Sequence, residues 1–536
     1  MSHVFLTGFM GSGKSTVGRI VAERLGLPFV DLDEEIERRA GRSVSEIFRG
    51  DGEEAFREAE HAALLDAVRG LGSVVACGGG VVLRNENRRL LKEHGTVVYL
   101  AVSADEALAR IGDASDRPLL AGDARAIAPR ILDARLSLYR ATADLTVDTT
   151  GRAPSEVADE VVRLLQGQAF AVVQVRTEPQ YEVVVGHGAV QRLPEIAAAA
   201  APSGTVALVT DETVVSLHGD AVRSALESAG LSVAVLAVPP KERSKSWETA
   251  GALLERLASL GLDRKSAVVA LGGGVIGDLA GFAASVYMRG VPVVHVPTTL
   301  LAQVDSSIGG KTGVDLATGK NLAGTFWQPF SVLTDQDFLH TLPDAEWQNG
   351  WAEAVKTALL AGGPFWERVE RDAAHLAARD DAAVSWAVES CVRFKADVVS
   401  RDARESAGIR ECLNLGHTLG HAIEREAGYG VVPHGVAVAE GLRFAARLSV
   451  ALCGASADLP DRIDATLDAL GVARAPREGM TVDGLMRAMR TDKKAIGGTI
   501  RFVLLTAPGA WVTEAVPEAA LAEALGQLLD EGGAPA

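Results

Sequence analysis

Histidines able to bind a metal are concentrated in one segment of the second half of the chain. His417 and His421 lie four residues apart in NLGHTLGHAIE, and His434 follows in VVPHGVAVAEG, in a chain with only 11 histidines. Residues at this spacing share one face of a helix, and imidazoles together with a carboxylate suit Zn²⁺. Glu353, upstream in GWAEAVK, supplies such a carboxylate. The pattern predicts a metal site, and spacing alone favours His417 with His421 as its histidine pair.

A second group of chemically competent residues lies near the N-terminus, in GFMGSGKST from Gly8 to Thr16. The pattern Gly-x4-Gly-Lys-Ser between a predicted strand and a predicted helix indicates a P-loop, and this context disfavours a chance glycine-rich turn. Backbone N–H groups would hold the β-phosphate, Lys14 would reach the β- and γ-phosphates, and the Ser15 hydroxyl would ligate Mg²⁺. The predicted ATP-binding residues of the loop are Gly11, Ser12, Gly13, Lys14, Ser15 and Thr16.

Residues after the P-loop give information about the substrate that accepts the phosphoryl group. Asp31 and Asp33 follow a predicted second strand in VDLDEEIE, at the mouth of the sheet. Asp33 has two interpretations, a substrate ligand or the N-cap of the helix that follows, whose acidic first turn suits the helix dipole. Arg57 follows an acidic helix face, and the three glycines of CGGGVV allow a ligand to approach the backbone closely.

A glycine-rich segment of different design, LGGGVIGDLAGF from Leu271 to Phe282, follows a predicted strand and opens a predicted helix. This context fits a dinucleotide pyrophosphate site, although the segment is not G-x-G-x-x-G. Downstream, PTTLLAQVDSSIGGKTGVDLATGKN contains Asp305, Lys311, Lys320 and Asn321 among many glycines. Ammonium and backbone groups in such a run suit a phosphate or a carboxylate, and a solvated loop is the alternative.

The elements that must position the P-loop alternate between strand and helix. Strand patterns occur at Val4–Thr7 and in VVAC, TVVYL and LTVD, and a helix is predicted from about Lys14 to Leu25. This alternation is typical of a parallel sheet with helices. Pro154–Leu165 starts with proline and carries apolar residues at helical spacing, so it is predicted to be the last helix of a first domain, which ends at Gly167.

The rest of the chain predicts an α/β region followed by a helical one. AFAVVQV, TVALVT, SVAVLAV, SAVVAL and VPVVHV read as strands, and the alternation continues to about Thr334. Beyond Pro343, Ala-, Leu- and Arg-rich segments predict helices, with TIRFVLL as the one convincing strand. We therefore predict domains at 1–167 and 168–536, the second comprising an α/β domain at 168–340 and a mainly helical domain at 341–536. The tail EGGAPA is predicted to be disordered.

Charge and composition exclude several classes of function. The 536 residues are 48% hydrophobic and 23% charged, and the net charge of −17 disfavours nucleic acid and anionic membranes as partners. There is no signal-peptide pattern, and no apolar stretch reaches the ~18 to 20 residues of a membrane span. The four cysteines lack a C-x-x-C spacing, which predicts reduced thiols. We predict a cytoplasmic enzyme that acts on small molecules.

Residues 1–165 resemble shikimate kinase, on the P-loop, VDLDEEIE, CGGGVV and the lid-like segment DRPLLAG. The resemblance implies a P-loop kinase fold with a parallel sheet, ATP with Mg²⁺, and a shikimate site in which Asp33 orients or deprotonates the 3-hydroxyl. The residues implied for shikimate are Asp33, Arg57, Gly79 and Arg135, and those added for ATP are Arg110, Arg117 and Arg152. The substrate-side residues distinguish this family from nucleoside monophosphate kinases of similar fold.

Residues from about 175 to 510 resemble 3-dehydroquinate synthase, on both glycine-rich segments and NLGHTLGHAIE. The resemblance implies a Rossmann-like NAD-binding domain followed by a mainly helical one. It assigns Zn²⁺ or Co²⁺ to Glu353, His417 and His434 and moves His421 to the substrate pocket, against the pairing favoured by spacing. The implied NAD⁺-binding residues are Glu242, Lys245, Gly274, Val275, Ile276, Gly277, Asp278, Thr298, Thr299, Lys311, Lys320, Phe338, Leu339, His340 and Thr341.

The same resemblance implies a substrate site and a homodimer, and this chain departs from the family pattern at one position. The implied substrate-binding residues are Arg289, Asp305, Lys311, Lys320, Asn321, Lys356, Lys395, Arg410, Asn414, His421, Lys493 and Lys494, with Lys311, Lys356, His421 and Arg410 as catalytic residues. Lys241 departs from the family, which often has glycine there. A homodimer through the second half is implied, with Arg289 serving the site of the neighbouring subunit.

Together the two resemblances predict a bifunctional enzyme of the shikimate pathway. One activity is ATP-dependent phosphorylation of shikimate to 3-phosphoshikimate. The other is the conversion of 3-deoxy-D-arabino-heptulosonate 7-phosphate to 3-dehydroquinate and phosphate, with NAD⁺ and a metal. For the second half, another sugar-phosphate cyclase or a metal-dependent polyol dehydrogenase is the alternative. A nucleotide-sensing regulator without turnover has no need of Lys14, Asp33, Glu353 and His417 together.

Overall fold

The structure is a computed structural model that describes residues 3–70, 72–111, 120, 123–165, 170–490 and 500–530. The chain divides into two compact units, Met1–Ala169 and Phe170–Ala536. Gly167 and the tail EGGAPA, for which a boundary and disorder are predicted, lie outside the described residues. The division of the second region at residues 340 and 341 stays a prediction. Within the described ranges, no helix has the length and apolar character needed to cross a membrane.

The first unit is a five-stranded sheet covered by helices. Its strands are β1 (His3–Thr7), β2 (Phe29–Asp31), β3 (Val74–Ala76), β4 (Gly95–Ala101) and β5 (Leu145–Asp148). Its helices are α1 (Lys14–Leu25), α2 (Leu32–Ala40), α3 (Val44–Gly50), α4 (Gly52–Arg69), α5 (Asn85–His94), α6 (Ala104–Ile111), α7 (Ala124–Thr142) and α8 (Pro154–Leu165).

The sheet order β2-β3-β1-β4-β5 explains where the first site lies. All four strand pairs are parallel, and β1 is fully buried at the centre, as a continuous apolar run predicts. Parallel strands place their carboxyl ends at one edge of the sheet. The P-loop after β1, Asp31 at the end of β2 and Gly78–Gly80 after β3 therefore lie at the same edge.

The second unit combines a seven-stranded sheet, two hairpins and a large set of helices. Its strands are β6 (Phe170–Val175), β7 (Tyr181–Gly186), β8 (Thr205–Asp211), β9 (Ser232–Val238), β10 (Ala267–Gly272), β11 (Val293–Pro297), β12 (Lys311–Leu316), β13 (Gly319–Phe326), β14 (Ser331–Thr334), β15 (Arg501–Ala507) and β16 (Ala510–Ala515). Its helices are α9 (Leu193–Ala200), α10 (Glu212–Val214), α11 (Asp220–Ser228), α12 (Trp247–Ser259), α13 (Gly274–Val286), α14 (Asp344–Ala361), α15 (Gly363–Ala377), α16 (Asp381–Arg401), α17 (His417–Glu426), α18 (His434–Cys453), α19 (Leu459–Ala469), α20 (Val482–Arg490) and α21 (Glu518–Asp530).

The large sheet has the order β6-β7-β14-β11-β10-β8-β9 and is parallel except for the β6–β7 pair. Strands β6 and β7 share one apolar core with helices α14 to α18, in which Trp351 and Trp366 are buried. Helix α16 packs directly against β6 and β7, and the helices that carry the histidines belong to the same apolar core. The predicted fold class, a P-loop α/β unit followed by a Rossmann-like and then helical region, is confirmed.

Two antiparallel hairpins differ from the sequence-based expectation. Strand β15 pairs with β16, so the prediction of a single strand in the helical region is wrong. The glycine-rich run pairs as β12 and β13 rather than forming a solvated loop. Gly313 and Gly324 face each other there, and a Cβ at either would overlap the backbone of the opposite strand. Glycine in this run therefore allows close strand pairing, which is why it does not read as a strand from sequence.

Candidate active sites

The P-loop of the first unit joins β1 to α1. Gly8, Gly11 and Gly13 have φ values of 145°, 77° and 88°, which residues with side chains rarely adopt. The Lys14 ammonium donates hydrogen bonds to the carbonyl oxygens of Gly8 and Phe9, both at 3.0 Å. Lys14 therefore lies against the loop that is predicted to bind phosphates.

Oxygen atoms suited to a magnesium ion lie beside this loop. The Ser15 hydroxyl donates to Asp31 Oδ2 at 2.6 Å. Thr16 is exposed next to it, and Ser12 is buried within the loop. Hydroxyl and carboxylate oxygens are the hard ligands that Mg²⁺ takes together with phosphate oxygens. The structure thus adds Asp31 to the predicted Ser15.

Asp31, not Asp33, caps helix α2. Asp31 Oδ1 accepts hydrogen bonds from the backbone N–H groups of Asp33 at 3.0 Å and Glu34 at 3.4 Å. The interpretation of Asp33 as the N-cap is therefore wrong, because the helix begins at Leu32, two residues earlier than that interpretation requires. Asp33 lies in the first turn, where a Cβ at Gly78 would stand 3.1 Å from its Oδ1.

A buried ion pair lies among the residues that are predicted to bind shikimate. Arg57 donates to Glu60 at 2.8 Å and to Glu53 at 3.0 Å. Glu60 is fully buried, and burial raises the pKa of its carboxyl although Arg57 opposes the shift. Arg135 Nη1 donates to the Gly79 carbonyl oxygen at 3.1 Å. Two arginines and the glycine segment therefore converge next to the P-loop.

Two residues of this cluster are absent from the sequence-based set. Glu60 follows Arg57 by three residues on α4, a spacing that places both on one helix face and is the signal that could have found it. The Tyr139 hydroxyl donates to the same Gly79 carbonyl as Arg135. Tyr139 follows Arg135 by four residues on α7, so the same rule applies.

The predicted ATP-binding arginines lie around the end of β5. Arg110 donates to Thr149 Oγ1 at 3.1 Å and to the P-loop carbonyl of Gly11 at 3.4 Å. Arg152 donates to the Asp148 carbonyl at 3.0 Å and contacts Glu160 at 2.5 Å. Arg117, the predicted lid residue, lies outside the described residues.

In the second unit, three side chains from three helices converge on one point. Nε2 of His417 lies 3.5 Å from Glu353 Oε1, and Nε2 of His434 lies 3.4 Å from the same oxygen. The ligand atoms of these three residues lie within 4.8 Å of one another, as do those of a second group, His421, Glu424 and His434. Within the described residues, neither group combines His417 with His421, the pair favoured by spacing.

The tautomers of both histidines suit metal binding. Nδ1 of His417 lies 3.1 Å from the Leu415 carbonyl, and Nδ1 of His434 lies 3.1 Å from Glu424 Oε2. Because both partners only accept, each Nδ1 must carry the hydrogen, and in the neutral ring Nε2 is left with its lone pair. Both Glu353 oxygens are buried, and Oε1 faces the Nε2 atoms of both rings. This donor set fits a divalent metal such as Zn²⁺.

Glycines allow the three helices to approach closely enough for this geometry. A Cβ at Gly441 on α18 would overlap the carbonyl oxygen of Gly416, which precedes α17. A Cβ at Gly435 would overlap the backbone of Asn349 on α14. These contacts hold the backbones bearing Glu353, His417 and His434 together, so neither position accepts a larger residue without moving a helix.

Buried cations surround the carboxylates of this site. Lys356 is 1% exposed; it contacts Glu353 and lies 3.8 Å from Asp305 Oδ2. Lys395 also contacts Asp305. Burial works against ionisation of Glu353, but Lys356 and His434 hold the pKa of its carboxyl below the ordinary range. Burial, assisted by Lys356 and opposed by Asp305, lowers the pKa of Lys395 to about 8.

Other predicted substrate residues lie at varying depth. Arg410 is 1% exposed and donates to the Gly309 carbonyl at 3.2 Å. Glu405 contacts both Arg410 and Lys311, and it is absent from the residues predicted from the sequence. Half-buried His421 has its ring centroid 5.4 Å from that of His417. Asn414 is half-buried, whereas Asn321 and Arg289 are exposed with φ values of 53° and 69°. Lys493 and Lys494 lie outside the described residues.

The second glycine-rich segment forms a cradle at the carboxyl end of β10. Helix α13 begins at Gly274, and a small cavity is lined by Gly272, Gly273, Gly274, Gly277, Ser306 and His295. A Cβ at Gly273 would lie 2.9 Å from Thr299, and Thr298 N–H donates to the Gly272 carbonyl at 3.0 Å. Side-chain-free backbone at a helix N-terminus suits a pyrophosphate. Val275 and Ile276 form the first turn of this helix.

Further predicted nucleotide residues are paired beside the cradle. Lys245 donates to Asp278 at 2.5 Å. Lys320 contacts Glu242 at 3.2 Å. The Phe338–Thr341 stretch, including Leu339 and His340, forms a short helical turn. The Oγ1 atom of Thr341 in this turn lies 2.8 Å from Nε2 of His218. His295, missed from sequence, is buried under the cradle, and burial lowers its pKa to about 4.

Comparisons with known proteins give a match for each of the two units. Residues 10–166 match the family model for shikimate kinase, 235–349 that for the N-terminal part of 3-dehydroquinate synthase, and 350–495 that for its C-terminal part. The 3-dehydroquinate synthase of Nitrosomonas europaea is 43% identical over 347 residues, which cover 64% of this chain and 93% of that protein. The chain belongs to the 3-dehydroquinate synthase family.

Two further relatives extend this finding. The 3-dehydroquinate synthase of Caulobacter vibrioides is 45% identical over 351 residues, covering 64% of this chain and 95% of that protein. A solved 2-epi-5-epi-valiolone synthase from Streptomyces hygroscopicus, with NAD⁺ and Zn²⁺ bound, has a TM-score of 0.60 at 26% identity, over 66% of this chain and 97% of that one. The chain is therefore a fusion of a shikimate kinase with a 3-dehydroquinate synthase, and both predicted enzyme activities are confirmed.

Lys241 carries backbone strain in the synthase unit. Its φ of 77° and ψ of 173° fall in a region almost restricted to glycine, which is the residue that the resemblance implies for this position. We predict that Lys241→Gly raises the free energy of unfolding of this unit by about 1 kcal/mol, because strain of this kind is worth about 1–3 kcal/mol. Lys241→Ala retains a Cβ and should give no gain. Thermal unfolding of the two variants provides the measurement, and an equal change in both would contradict the strain.

Proposed function

We propose that the first unit transfers the γ-phosphoryl group of ATP to the 3-hydroxyl of shikimate. The observation that carries this proposal is the convergence of Arg57, Arg135 and Gly79 beside the P-loop. The two guanidinium groups would bind the substrate carboxylate, and Glu60 would fix the orientation of Arg57. Asp33 would accept the proton of the attacking hydroxyl.

We propose that Ser15 and Asp31 hold Mg²⁺ in this unit, directly or through water. Bound Mg²⁺·ATP supplies the phosphoryl group and neutralises part of its charge. Lys14 contributes an ammonium at the β- and γ-phosphates, while the loop N–H groups contribute fixed dipoles. Arg110 and Arg152, at the end of β5, flank the space next to the P-loop and are proposed to contact the adenosine end.

Lys14→Ala tests the proposed phosphate role. Kinase activity with shikimate should fall at least about 100-fold, the effect of removing one charge-stabilising donor from a transition state. Synthase activity of the same preparation is the internal control and should be unchanged. A parallel loss of synthase activity, or full kinase activity, would contradict the assignment.

We propose that the second unit converts 3-deoxy-D-arabino-heptulosonate 7-phosphate to 3-dehydroquinate and phosphate. The observation that carries this proposal is the convergence of His417 and His434 on Glu353 with Nε2 facing inwards. These three residues would hold Zn²⁺, and the α13 cradle with Glu242 and Lys245 would hold NAD⁺. When bound, NAD⁺ takes and returns one hydride, and the metal polarises the oxygen of the oxidised carbon.

The buried cations are proposed to bind the two anionic groups of this substrate. Lys356, Lys395 and Arg410 lie at 1%, 7% and 1% exposure, so a phosphate or carboxylate among them would be held away from water. An anion beside Lys395 would favour its charged form. His421, half-buried beside His417, is proposed to exchange a proton with the substrate.

Product analysis separates this reaction from its alternatives. The enzyme should release phosphate and 3-dehydroquinate in equal amounts from the seven-carbon phosphate, with catalytic NAD⁺. Net accumulation of NADH would indicate a polyol dehydrogenase, and turnover of a different sugar phosphate in preference would indicate another cyclase. The identity of 43–45% with 3-dehydroquinate synthases favours the stated substrate.

The metal assignment has a direct test in two alanine variants. We predict that His417→Ala loses bound zinc during dialysis, since it removes one of three protein ligands. His421→Ala should retain zinc near the wild-type level while losing synthase turnover. The zinc content of each variant, measured by mass spectrometry, shows which of the two histidines is a ligand. The reverse ranking would mean that His421 is a ligand.

We also propose that the enzyme is a homodimer through the synthase unit. Several large apolar side chains in the stretch 247–330 are exposed, including Trp247 at 58%, Leu322 at 45% and Phe330 at 44%. Large exposed apolar side chains are the groups that a subunit interface would bury. Arg289 lies in the same stretch, beside exposed Met288, and would serve the site of the neighbouring subunit.

Leu322→Glu tests the dimer. The wild-type enzyme should sediment as twice the 56.0 kDa chain, and the variant should shift towards the mass of a single chain. Leu452→Glu, at a similarly exposed leucine at the end of α18, is the matched control and should remain dimeric. A monomeric wild type, or equal behaviour of both variants, would contradict the proposed surface.

A further inference from the structure

A continuous chain of charged groups runs from the proposed nucleotide site to the proposed metal site. Glu242 Oε1 lies 3.2 Å from the Lys320 ammonium, which donates to Glu424 Oε1 at 3.0 Å. Glu424 Oε2 lies 3.1 Å from His434 Nδ1, and His434 Nε2 lies 3.4 Å from Glu353 Oε1. Glu424 and His434 each use a different atom for each neighbour, and the single ammonium of Lys320 contacts both of its neighbours.

Glu424 is the central member of this chain and has no role in the reaction proposed above. Its side chain is 2% exposed on α17. Burying a carboxylate is unfavourable unless charged or hydrogen-bonding groups surround it. The Lys320 ammonium donates to Oε1 and the His434 ring faces Oε2, so both oxygens of the buried carboxylate have a partner. A buried carboxylate therefore faces the outer nitrogen of a proposed metal ligand.

We propose that Glu424 is a positioning residue for His434, and that Lys320 couples metal binding to NAD⁺ binding. This inference rests on the proposed function, which places the metal at Glu353, His417 and His434 and NAD⁺ beside Glu242. Glu424 holds His434 in the Nδ1–H tautomer and aims Nε2 at Glu353. A carboxylate in this position also makes the imidazole a stronger ligand, and loss of such partners lowers metal affinity about 10- to 100-fold.

Lys320 gives the coupling a physical route. It is shared between Glu242, whose side chain is 35% exposed, and Glu424, which is buried. A dinucleotide that fixes the position of Glu242 also fixes the Lys320 ammonium, which contacts Glu424. The metal then binds to a site whose residues Glu424 and His434 are already ordered. Linkage requires the effect to be reciprocal: the metal must tighten NAD⁺ binding by the same factor.

The geometry leaves one competing role for Glu424. Its carboxylate also forms a group of three with His421 and His434, whose ligand atoms lie within 4.8 Å of one another. Glu424 in that arrangement would bind the metal directly. The two roles predict different results when Glu424 and His434 are changed together, because a positioning residue acts only through the residue that it positions.

Zinc dissociation constants measured by competition with a chromophoric chelator test the positioning role. Glu424→Gln should weaken zinc binding about 10- to 100-fold. The matched control is Glu426→Gln, an exposed carboxylate two residues along the same helix, which should bind zinc as the wild type does. In the His434→Ala background, Glu424→Gln should cause no further loss. Additive losses would overturn the positioning role in favour of direct ligation, and wild-type affinity in Glu424→Gln would overturn both roles.

The coupling is tested by repeating the zinc titration with saturating NAD⁺, established for each variant by calorimetry. NAD⁺ should tighten zinc binding about 5-fold or more in the wild type, the lower end of typical coupling. Lys320→Met should lose this enhancement, and Lys320→Arg, which keeps the charge, should retain part of it. Thermal unfolding checks that each variant is folded. A wild type that binds both ligands without mutual effect would overturn the coupling alone, whereas a wild type that binds neither would overturn the proposed function.

Discussion

The buried carboxylate of Glu353 is the interaction on which the arrangement of the synthase unit depends. A carboxylate at 0% exposure is stable as an anion only if cations reach it inside the protein. Lys356 on the same helix supplies one, and the imidazoles of His417 and His434 approach from two other helices. Compensation of this charge therefore accounts for the positions of Lys356, His417 and His434, while a shared apolar core and glycines at the contacts let α14, α17 and α18 meet.

The kinase unit also contains a buried carboxylate that a neighbouring cation compensates. Glu60 is buried, and Arg57 on the same helix compensates it from one turn away. Because Arg57 is held in this way, its guanidinium faces Gly80, where a Cβ would overlap it. In both units a buried carboxylate contacts cationic groups or imidazoles of a proposed site, and glycine-rich backbone lies at a helix N-terminus, where phosphate is proposed to bind.

Local patterns in the sequence were sufficient for most of the fold. Helices Lys14–Leu25 and Pro154–Leu165 have the predicted bounds because capping and apolar spacing are local. Strand β16 and the β12–β13 hairpin depend on pairing between segments, and neither has a clear alternation of its own. In the sites, motifs indicate the residues that carry ligand-binding chemistry. Glu60, Glu405 and Glu424 were missed, since a carboxylate that acts on another side chain has no motif. Helix spacing from Arg57 could have indicated Glu60, whereas the contacts of Glu405 with Lys311 and of Glu424 with Lys320 depend on the fold.

The central claim is that one carboxylate and two imidazoles from three helices hold the metal. X-ray absorption at the zinc edge of the zinc-loaded enzyme tests it directly, because imidazole rings give characteristic multiple scattering. The account predicts two imidazoles with the remaining ligands oxygen, at about 2.0–2.2 Å. Three imidazoles would place His421 on the metal, and a sulfur ligand at about 2.3 Å would implicate a cysteine. Either result would contradict the convergence on Glu353 as the basis of the site.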